Sequence, residues 1–376
     1  MAPALVVHQL LPTLRHGDAA GAHTLQVRQA LRQAGFESEL FVEHHDDDFA
    51  GDVHLYDELG AFCRPGRTAL LYQMAIGSKI ADMLLERPEP LLVNYHNLTP
   101  AAFFWRWDPG LVDGIVWGHV QLHRLVHRTF HAIAVSSFNR RDLDRAGYAS
   151  TAVSPPLVDV ATFGAAHPPP APADAPAQGG GARWLFVGRL APNKAAHDLV
   201  KALAAYRRVY DPAARLQLVG GHGHPAYTDA VRRLVDALDL ADAVELTGTV
   251  THDQLAAAYR RADVFTCASD HEGFCFPLLE AMHHGLPIVA YRSSAVPETV
   301  GRGGVVVDDK SPAGFAAAVH QVLVDPGRRR RLAAAGRRRL GAFDLAACSA
   351  ALVDQVRQGL VNAELLPGQP SWKTSP

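Results

Sequence analysis

Residues 264–285, which read VFTCASDHEGFCFPLLEAMHHG, decide the fold. The apolar run Val264–Cys267 predicts a short buried strand, and Pro277 marks the start of a helix. Glu272 and Glu280 flank the turn that joins them. The turn and the helix N-terminus can present backbone N–H groups and a positive dipole end to an anion. Carboxylates beside an anion site indicate a ligand that is both an anion and a polyol, as a nucleotide sugar is.

Strand–loop–helix units of the same kind recur through both halves of the chain. Predicted strands are 4–8, 38–43, 91–95, 132–135, 184–187, 216–219, 244–246, 264–267 and 287–290, and predicted helices are 23–34, 199–209, 230–238, 255–261 and 277–283. Short apolar strands that alternate with helices predict parallel sheets covered on both faces. Ligands of such sheets bind at the carboxyl ends of the strands.

The bulk composition is that of an ordinary globular protein of 376 residues, with 48% hydrophobic and 20% charged residues. A formal net charge of −2 argues against nucleic acid as a partner. The four cysteines are scattered without a CxxC pair, which fits a reducing compartment. No signal-peptide pattern is visible, and no apolar run approaches the roughly 18 residues of a membrane span. A cytoplasmic location is therefore expected.

Two cations follow the predicted strand 184–187. Gly188 ends that strand, Arg189 comes next, and Lys194 lies five residues further on. Arginine can fork two phosphate oxygens and lysine adds a point charge, so the pair suits a diphosphate. Taken alone, a loop with two solvated cations would be the better interpretation. The glycine cluster at 220–223 has the same ambiguity, because it does not match GxGxxG.

Three elements occur in the same order as in the donor-binding domain of retaining GT-B glycosyltransferases of family four, the glycosyl transferases group 1. They are Val187-Gly188-Arg189-Leu190 with Lys194, Val244-Glu245-Leu246-Thr247-Gly248, and Glu272 with Glu280. Residues 182–345 resemble that domain strongly, and the first half resembles its counterpart more loosely. The resemblance implies the GT-B form of the α/β class, in which two Rossmann-like domains with parallel sheets face each other across a deep cleft. It also implies a metal-independent hexosyltransferase of carbohydrate biosynthesis.

The resemblance assigns roles to individual residues. Arg189 and Lys194 would neutralise the donor diphosphate, Glu272 would contact the transferred sugar, and Glu280 would bind the ribose hydroxyls. His96 joins Arg189, Lys194 and Glu272 in the expected catalytic set. Further donor contacts are expected at Gly17, Asp18, Gly21, Gly188, Gly220, Gly221, Thr247, Gly248, Gly273, Phe274, Cys275 and Leu278. Many relatives have glycine at the position of Cys275, and a buried apolar filler is favoured there over a reactive thiol.

The first half carries fewer signals. His96 follows the predicted strand 91–95 and resembles the histidine that family members place against the transferred sugar. In the predicted loop 16–22, Asp18 stands where the family has a second glycine. It would either cap the following helix or bond an acceptor hydroxyl. Acceptor-side contacts are expected from Tyr72, Gln73, Ser137 and Asn139.

We predict five segments along the chain. They are an acceptor-side Rossmann-like domain at 1–167, a linker rich in Pro, Ala and Gly at 168–182, a nucleotide-sugar-binding Rossmann-like domain at 183–345, a terminal helix at 346–362 that the resemblance implies returns to the first domain, and a tail at 363–376. Arginines at 328–331 and 337–339 indicate a solvated helix face, with contact to anionic lipid at the inner face of a membrane left open. The tail from Gly368 onward is expected to be disordered.

Neither a metal nor a cofactor is predicted beyond a UDP- or GDP-linked sugar donor. The run His44-His45-Asp46-Asp47-Asp48 reads as a solvated loop. Two other functions stay open at this level: a GT-B sugar-nucleotide epimerase and a non-catalytic nucleotide-binding partner subunit. The sugar, base, acceptor, linkage and oligomeric state are not predicted.

Overall fold

The computed structural model describes residues 5–160, 163 and 180–367. The chain divides into two compact units. The first comprises the segments up to residue 100, 110–158 and from 345 onward, and the second comprises 101–109 and 159–344. Most of the predicted linker 168–182 and the end of the tail, from Gly368, lie outside the described residues.

The first unit contains a parallel sheet of seven strands in the order β3-β2-β1-β4-β5-β6-β7. The strands are β1 (Val6–Leu14), β2 (Leu40–His45), β3 (His54–Leu55), β4 (Thr68–Met74), β5 (Leu91–Tyr95), β6 (Thr129–Ala134) and β7 (Thr151–Val153). Its helices are α1 (Ala19–Gln33), α2 (Lys79–Glu86), α3 (Pro109–Leu125), α4 (Ser137–Ala146) and, from the end of the chain, α12 (Leu345–Asn362). Apolar clusters cover both faces of the sheet.

The last helix is part of the core of this unit. Leu352, Val356 and Leu360 of α12 are buried in one cluster with Leu92 of β5 and Ile133 of β6. Burying one such aliphatic side chain contributes about 1.5–3 kcal/mol, so this contact holds the segment firmly. The segment after residue 345 therefore packs on the first sheet.

The second unit contains a parallel sheet of six strands in the order β10-β9-β8-β11-β12-β13. The strands are β8 (Arg183–Val187), β9 (Arg215–Val219), β10 (Val244–Gly248), β11 (Val264–Cys267), β12 (Ile288–Tyr291) and β13 (Val305–Val307). The helices are α5 (Ala196–Val209), α6 (Pro225–Ala237), α7 (His252–Arg261), α8 (Phe276–His283), α9 (Val296–Val300), α10 (Pro312–Leu323) and α11 (Pro326–Leu340). Two parallel α/β sheets confirm the predicted fold class.

Strand order reverses once in each sheet. In the first sheet β1 lies between β2 and β4, and in the second β8 lies between β9 and β11. At such a point the loops that follow the two neighbouring strands diverge to opposite faces and leave a crevice. The loops after β8 and β11 therefore frame the crevice of the second unit, and those after β1 and β4 frame that of the first.

Two features of the first unit differ from the sequence prediction. The predicted loop 16–22 is wrong, because α1 begins at Ala19 and Gly21 lies inside the helix. The alanine-rich run around Gly21 favours a helix more than its glycine disfavours one. The strand β4 was not predicted, although TALLYQM contains the short apolar run Ala69-Leu70-Leu71-Tyr72. It is nevertheless central and buried along its whole length.

A glycine at the end of β9 is required by the backbone. Gly220 has φ +140°, and a Cβ built on it would lie 2.2 Å from the carbonyl oxygen of Gly188, which follows β8. That oxygen belongs to the backbone and cannot move without shifting the loop. Only glycine fits where these two loops approach each other.

We expect Gly220→Ala to lower the free energy of unfolding by about 1–3 kcal/mol, because it adds a clash to a disfavoured φ. Urea denaturation measures this change. Gly341→Ala is the matched control in the same unit, since an added Cβ there meets no atom within 4 Å. Equal unfolding free energies for the two variants would contradict the assignment.

Candidate functional site

The loops that frame the crevice of the second unit are joined by an ion pair. Lys194, in the loop after β8, places its Nζ 2.6 Å from Oε2 of Glu272, in the loop after β11. The Glu272 side chain is 7% exposed and that of Lys194 is 22% exposed. The pair therefore lies mostly buried, and Lys194 is the more exposed of its two side chains.

Burial opposes a charge on Lys194, but the attraction of Glu272 outweighs it and raises the pKa of the lysine. Lys194 is thus a fixed cation. Arg189 lies in the same loop, is exposed, and makes no ion pair among the described residues. One cation of the predicted pair is therefore held in place by a carboxylate, and the other is open to an anionic ligand.

Asn193 joins the same two loops through its amide and its backbone. Its Nδ2 donates to the carbonyl oxygen of His271 at 3.0 Å, and its own carbonyl accepts from the N–H of Asp270 at 2.8 Å. The residue is buried. Asn193 was not predicted as a site residue, because an asparagine between a proline and a lysine carries no distinctive pattern.

The turn 272–275 is supported from the segment that follows β12. The N–H of Glu272 donates to Oγ of Ser294 at 2.7 Å, and Oγ1 of Thr299 donates to the carbonyl oxygen of Phe274 at 2.6 Å. Cys275 then caps α8 with φ 79° and ψ 76°, in the left-handed region. A residue with a Cβ is disfavoured there, so the surrounding hydrogen bonds hold the turn in this conformation.

Glu280 lies in the second turn of α8 and is held by a tyrosine of α7. The hydroxyl of Tyr259 donates to Oε2 of Glu280 at 2.5 Å, and the Tyr259 ring stacks on His284 with centroids 5.0 Å apart. Burial raises the pKa of Glu280, which the Tyr259 hydrogen bond partly offsets. Tyr259, like Asn193, was not predicted as a site residue.

The loops after β8, β9 and β10 are tied together by backbone hydrogen bonds. Gly188 donates to Val219, Leu190 donates to Gly221, and Gly220 donates to Gly248, at 2.9–3.0 Å. Thr247, at the end of β10, donates from Oγ1 to the carbonyl oxygen of Gly248 at 3.0 Å. The predicted glycine positions are thus neighbours at one edge of the sheet.

Two thiols lie beside the ion pair. Sγ of Cys267, Sγ of Cys275 and a carboxylate oxygen of Glu272 lie within 4.8 Å of one another, and all three residues are buried. Among the described residues this is the group whose composition and spacing suit a metal ion. This group was not predicted, since the two cysteines are eight positions apart in the chain.

In the first unit, the loop after β1 is open to solvent. Gly17 has φ +72°, and Asp18 occupies the N-cap position of α1 without a side-chain hydrogen bond to the helix. Capping is therefore not the role of the Asp18 side chain in this structure. Gly21 is buried, and a Cβ on it would lie 2.8 Å from Cδ1 of Leu14. It serves close packing of α1 on β1.

His96 follows β5 and joins a chain of buried polar side chains. Its Nε2 lies 2.8 Å from Oε1 of Gln73, which also accepts from Nδ2 of Asn94 at 2.9 Å. Nδ2 of Asn94 in turn lies 2.8 Å from Nε2 of His23. Asn139 donates from Nδ2 to the carbonyl oxygen of His96 at 2.8 Å. Both the ring and the carbonyl of His96 are thus held.

The predicted acceptor-side residues lie in different surroundings. Tyr72 and Gln73 are fully buried in β4, and the Tyr72 hydroxyl is 3.1 Å from Oγ of Ser78. Asn139 is also buried, whereas Ser137 is exposed at the start of α4. Direct contact of these four residues with an acceptor stays a prediction.

Burial lowers the pKa of His96 from 6.5 to about 4. The unfolded chain therefore takes up a proton at this residue before the folded protein does. The contribution of neutral His96 to stability is complete above pH 6.5 and is lost as the pH falls towards about 4.

Urea unfolding at several pH values should show that the free energy of unfolding falls less on acidification in His96→Gln than in the wild type. The exposed His127→Gln variant should follow the wild type, and an unchanged slope in His96→Gln would contradict the assignment.

Residues 172–339 match the family model of the glycosyl transferases group 1. The chain is 34% identical over 244 residues to a D-inositol 3-phosphate glycosyltransferase of Kineococcus radiotolerans, covering 58% of this chain and 54% of the relative. It is 38% identical over 162 residues to a GDP-mannose-dependent alpha-(1-6)-phosphatidylinositol monomannoside mannosyltransferase of Mycobacterium tuberculosis, covering 41% of each. The matches therefore span about half the length of these relatives.

Solved structures are similar over nearly the whole chain. A sucrose-phosphate synthase of Thermosynechococcus elongatus has a TM-score of 0.73 at 20% identity and covers 94% of this chain and 98% of its own. The Anabaena protein HepE in complex with UDP and glucose has a TM-score of 0.71 at 16% identity, covering 94% and 99%. At these identities the likeness concerns the fold alone.

No described helix combines the length and apolarity needed to cross a membrane. The fold is that of the GT-B glycosyltransferases, and residues 172–339 belong to the glycosyl transferases group 1 family.

Proposed function

We propose that this protein is a glycosyltransferase that moves a hexose from a nucleoside-diphosphate sugar to a hydroxyl group, with retention of the anomeric configuration. The observation that carries the proposal is the Lys194–Glu272 ion pair at the strand-order reversal of the second sheet. A cation held beside a carboxylate, with Arg189 open in the same loop, suits a ligand that carries both phosphates and hydroxyls.

The leaving group of this reaction is a nucleoside diphosphate. As the bond to the sugar breaks, negative charge develops on a phosphate oxygen. Arg189, Lys194 and the N-terminus of α8 stabilise that charge, and Lys194 and the helix are already held in place by the fold. These groups supply the charge that a bound metal would otherwise provide, so the proposed reaction is metal-independent.

The two carboxylates bind the hydroxyl groups of two different rings of the donor. Glu272, next to Lys194, accepts hydrogen bonds from the transferred sugar. Glu280, held by Tyr259, accepts from the ribose. This division fits the proposal, because the two carboxylates are held by different neighbours, Lys194 and Tyr259.

In the first unit, His96 is proposed to act on the sugar without serving as a base. Burial keeps its ring neutral, and the carbonyl oxygen is fixed by Asn139. The partial negative charge of an oriented carbonyl oxygen stabilises an adjacent cationic centre, such as the oxocarbenium-like sugar of the transition state. In a front-face reaction the departing phosphate oxygen itself takes the proton of the acceptor hydroxyl, so no separate base is required.

The relatives narrow the substrates to be tested. One is named for GDP-mannose and phosphatidylinositol monomannoside, and another for D-inositol 3-phosphate. We therefore propose GDP- and UDP-hexoses as donors, and inositol-containing phosphates or lipids as the first acceptors to screen. Glycans and small polyols complete the panel.

An assay of nucleoside diphosphate release separates this proposal from its two rivals. Release that depends on an acceptor, together with a glycosylated product of unchanged anomeric configuration, supports transfer. A new sugar-nucleotide isomer would instead indicate an epimerase. Nucleotide binding without turnover across the panel would indicate a non-catalytic subunit.

We expect Arg189→Ala to lower kcat about 100-fold or more, because it removes a charge that acts on the leaving phosphate. Steady-state transfer kinetics measure the change. The control is Arg233→Ala on the exposed face of α6, which should retain wild-type kinetics. Full activity in Arg189→Ala would show that the diphosphate is bound elsewhere.

We expect Tyr259→Phe to weaken nucleoside diphosphate binding roughly tenfold, which corresponds to about 1.4 kcal/mol. The buried carboxylate of Glu280 loses its donor, its pKa rises further, and it accepts poorly from the ribose. Isothermal titration calorimetry gives the Kd. Tyr206→Phe, which changes another buried tyrosine of the second unit, is the control. The ribose assignment fails if both variants bind as tightly as the wild type.

A further inference from the structure

We propose that Cys267, Cys275 and Glu272 form a binding site for one thiophilic divalent cation, such as Zn²⁺ or Cd²⁺, and that the bound cation inhibits the enzyme. The proposal that the cation binds is argued from the positions of the three ligand atoms alone. Inhibition rests on the proposed function, because it requires Glu272 to take part in transfer.

The three ligand atoms come from one short segment, 267–275, whose two ends are brought together by the turn between β11 and α8. Cys267 ends β11, Glu272 lies in the turn, and Cys275 caps α8. The atoms lie within 4.8 Å of one another. Zn–S bonds of about 2.3 Å in a tetrahedral site place two sulfurs roughly 3.8 Å apart. The cluster therefore needs to contract by no more than about 1 Å, which side-chain rotation can supply.

The ligand set matches the chemistry of such a cation. Zinc is bound in proteins by thiolates, imidazoles and carboxylates, usually with four ligands. Two thiolates and one carboxylate leave a fourth position for water. Hard cations such as Mg²⁺ prefer sites made of oxygen alone, so the two sulfurs select against them.

Charge balance also favours the site. Two thiolates and the Glu272 carboxylate carry three negative charges, which a divalent cation and the Lys194 ammonium together neutralise. Lys194 is already 2.6 Å from Glu272.

The backbone at Cys275 points to a role for its side chain. The residue has φ 79°, a conformation that glycine adopts freely and that costs other residues about 1–3 kcal/mol. The sequence nevertheless places a thiol there, against Cys267 and Glu272. A cation bound by this thiol would tie the turn 272–275 and withdraw Glu272 from the sugar.

The test uses Cd²⁺ alone, added to fully reduced protein, because cadmium–thiolate bonds absorb in the ultraviolet. The protein to titrate is the full chain with Cys63→Ser and Cys348→Ser, which retains only Cys267 and Cys275 of the four cysteines. We expect saturation at one Cd²⁺ per chain. Adding Cys267→Ser or Cys275→Ser should raise the Kd for Cd²⁺ at least about tenfold. Even replacing a residue that only hydrogen-bonds a metal ligand lowers metal affinity about 10- to 100-fold.

A second measurement does not depend on substitutions. X-ray absorption of the unmodified protein with one equivalent of Zn²⁺ should show two sulfur ligands at about 2.3 Å. A spectrum with oxygen and nitrogen ligands alone, or a Cd²⁺ absorption that survives removal of both cysteines, would overturn the site.

Inhibition is measured separately, as loss of transfer on adding Zn²⁺ and recovery with a chelator. Binding by both cysteines without loss of transfer would overturn the inhibitory role and leave the site in place. Absence of transfer with every donor and acceptor would count against the proposed function, while the binding measurements would still decide the cation site.

Discussion

The Lys194–Glu272 ion pair is the interaction on which the rest of the site depends. It bridges the two loops that leave neighbouring strands at the strand-order reversal of the second sheet. Because the pair is mostly buried, removing one partner would leave an uncompensated charge, which costs about 3–5 kcal/mol. Asn193, Ser294 and Thr299 support the same loops by hydrogen bonds. The pair thus fixes a cation and a carboxylate side by side before any ligand arrives.

The sheet topology explains why these residues meet although they are far apart in sequence. β8 and β11 are adjacent strands, yet two further strands and three helices separate them along the chain. Parallel pairing brings their carboxyl ends to one edge, where glycines of the neighbouring loops approach within backbone hydrogen-bond distance. A cavity whose lining includes Arg183, Arg215, Asp242 and Glu245 opens at the amino ends of the same strands. The proposed site therefore lies at the carboxyl ends of the strands. The cavity at their amino ends serves as a comparison within the same sheet.

Strongly patterned elements of the fold were predictable, and supporting residues were not. The strands 91–95 and 264–267 are mostly apolar, and the structure reproduces their bounds. The proximity of Lys194 to Glu272 is consistent with the family motif. Tyr259, Asn193 and Asn94 were missed because hydrogen-bonding partners distant in sequence leave no local pattern. The Cys267–Cys275 proximity was missed for the same reason, since it depends on how the turn folds back at a residue with positive φ.

Hydrogen–deuterium exchange with and without UDP or GDP tests the central claim most directly, because it locates the ligand along the chain. We predict added protection in the loop 188–194 and in 268–280, the segments that the ion pair joins. Unchanged exchange there, with protection instead around 215–217 and 241–245 in the cavity at the amino ends of the strands, would contradict this prediction.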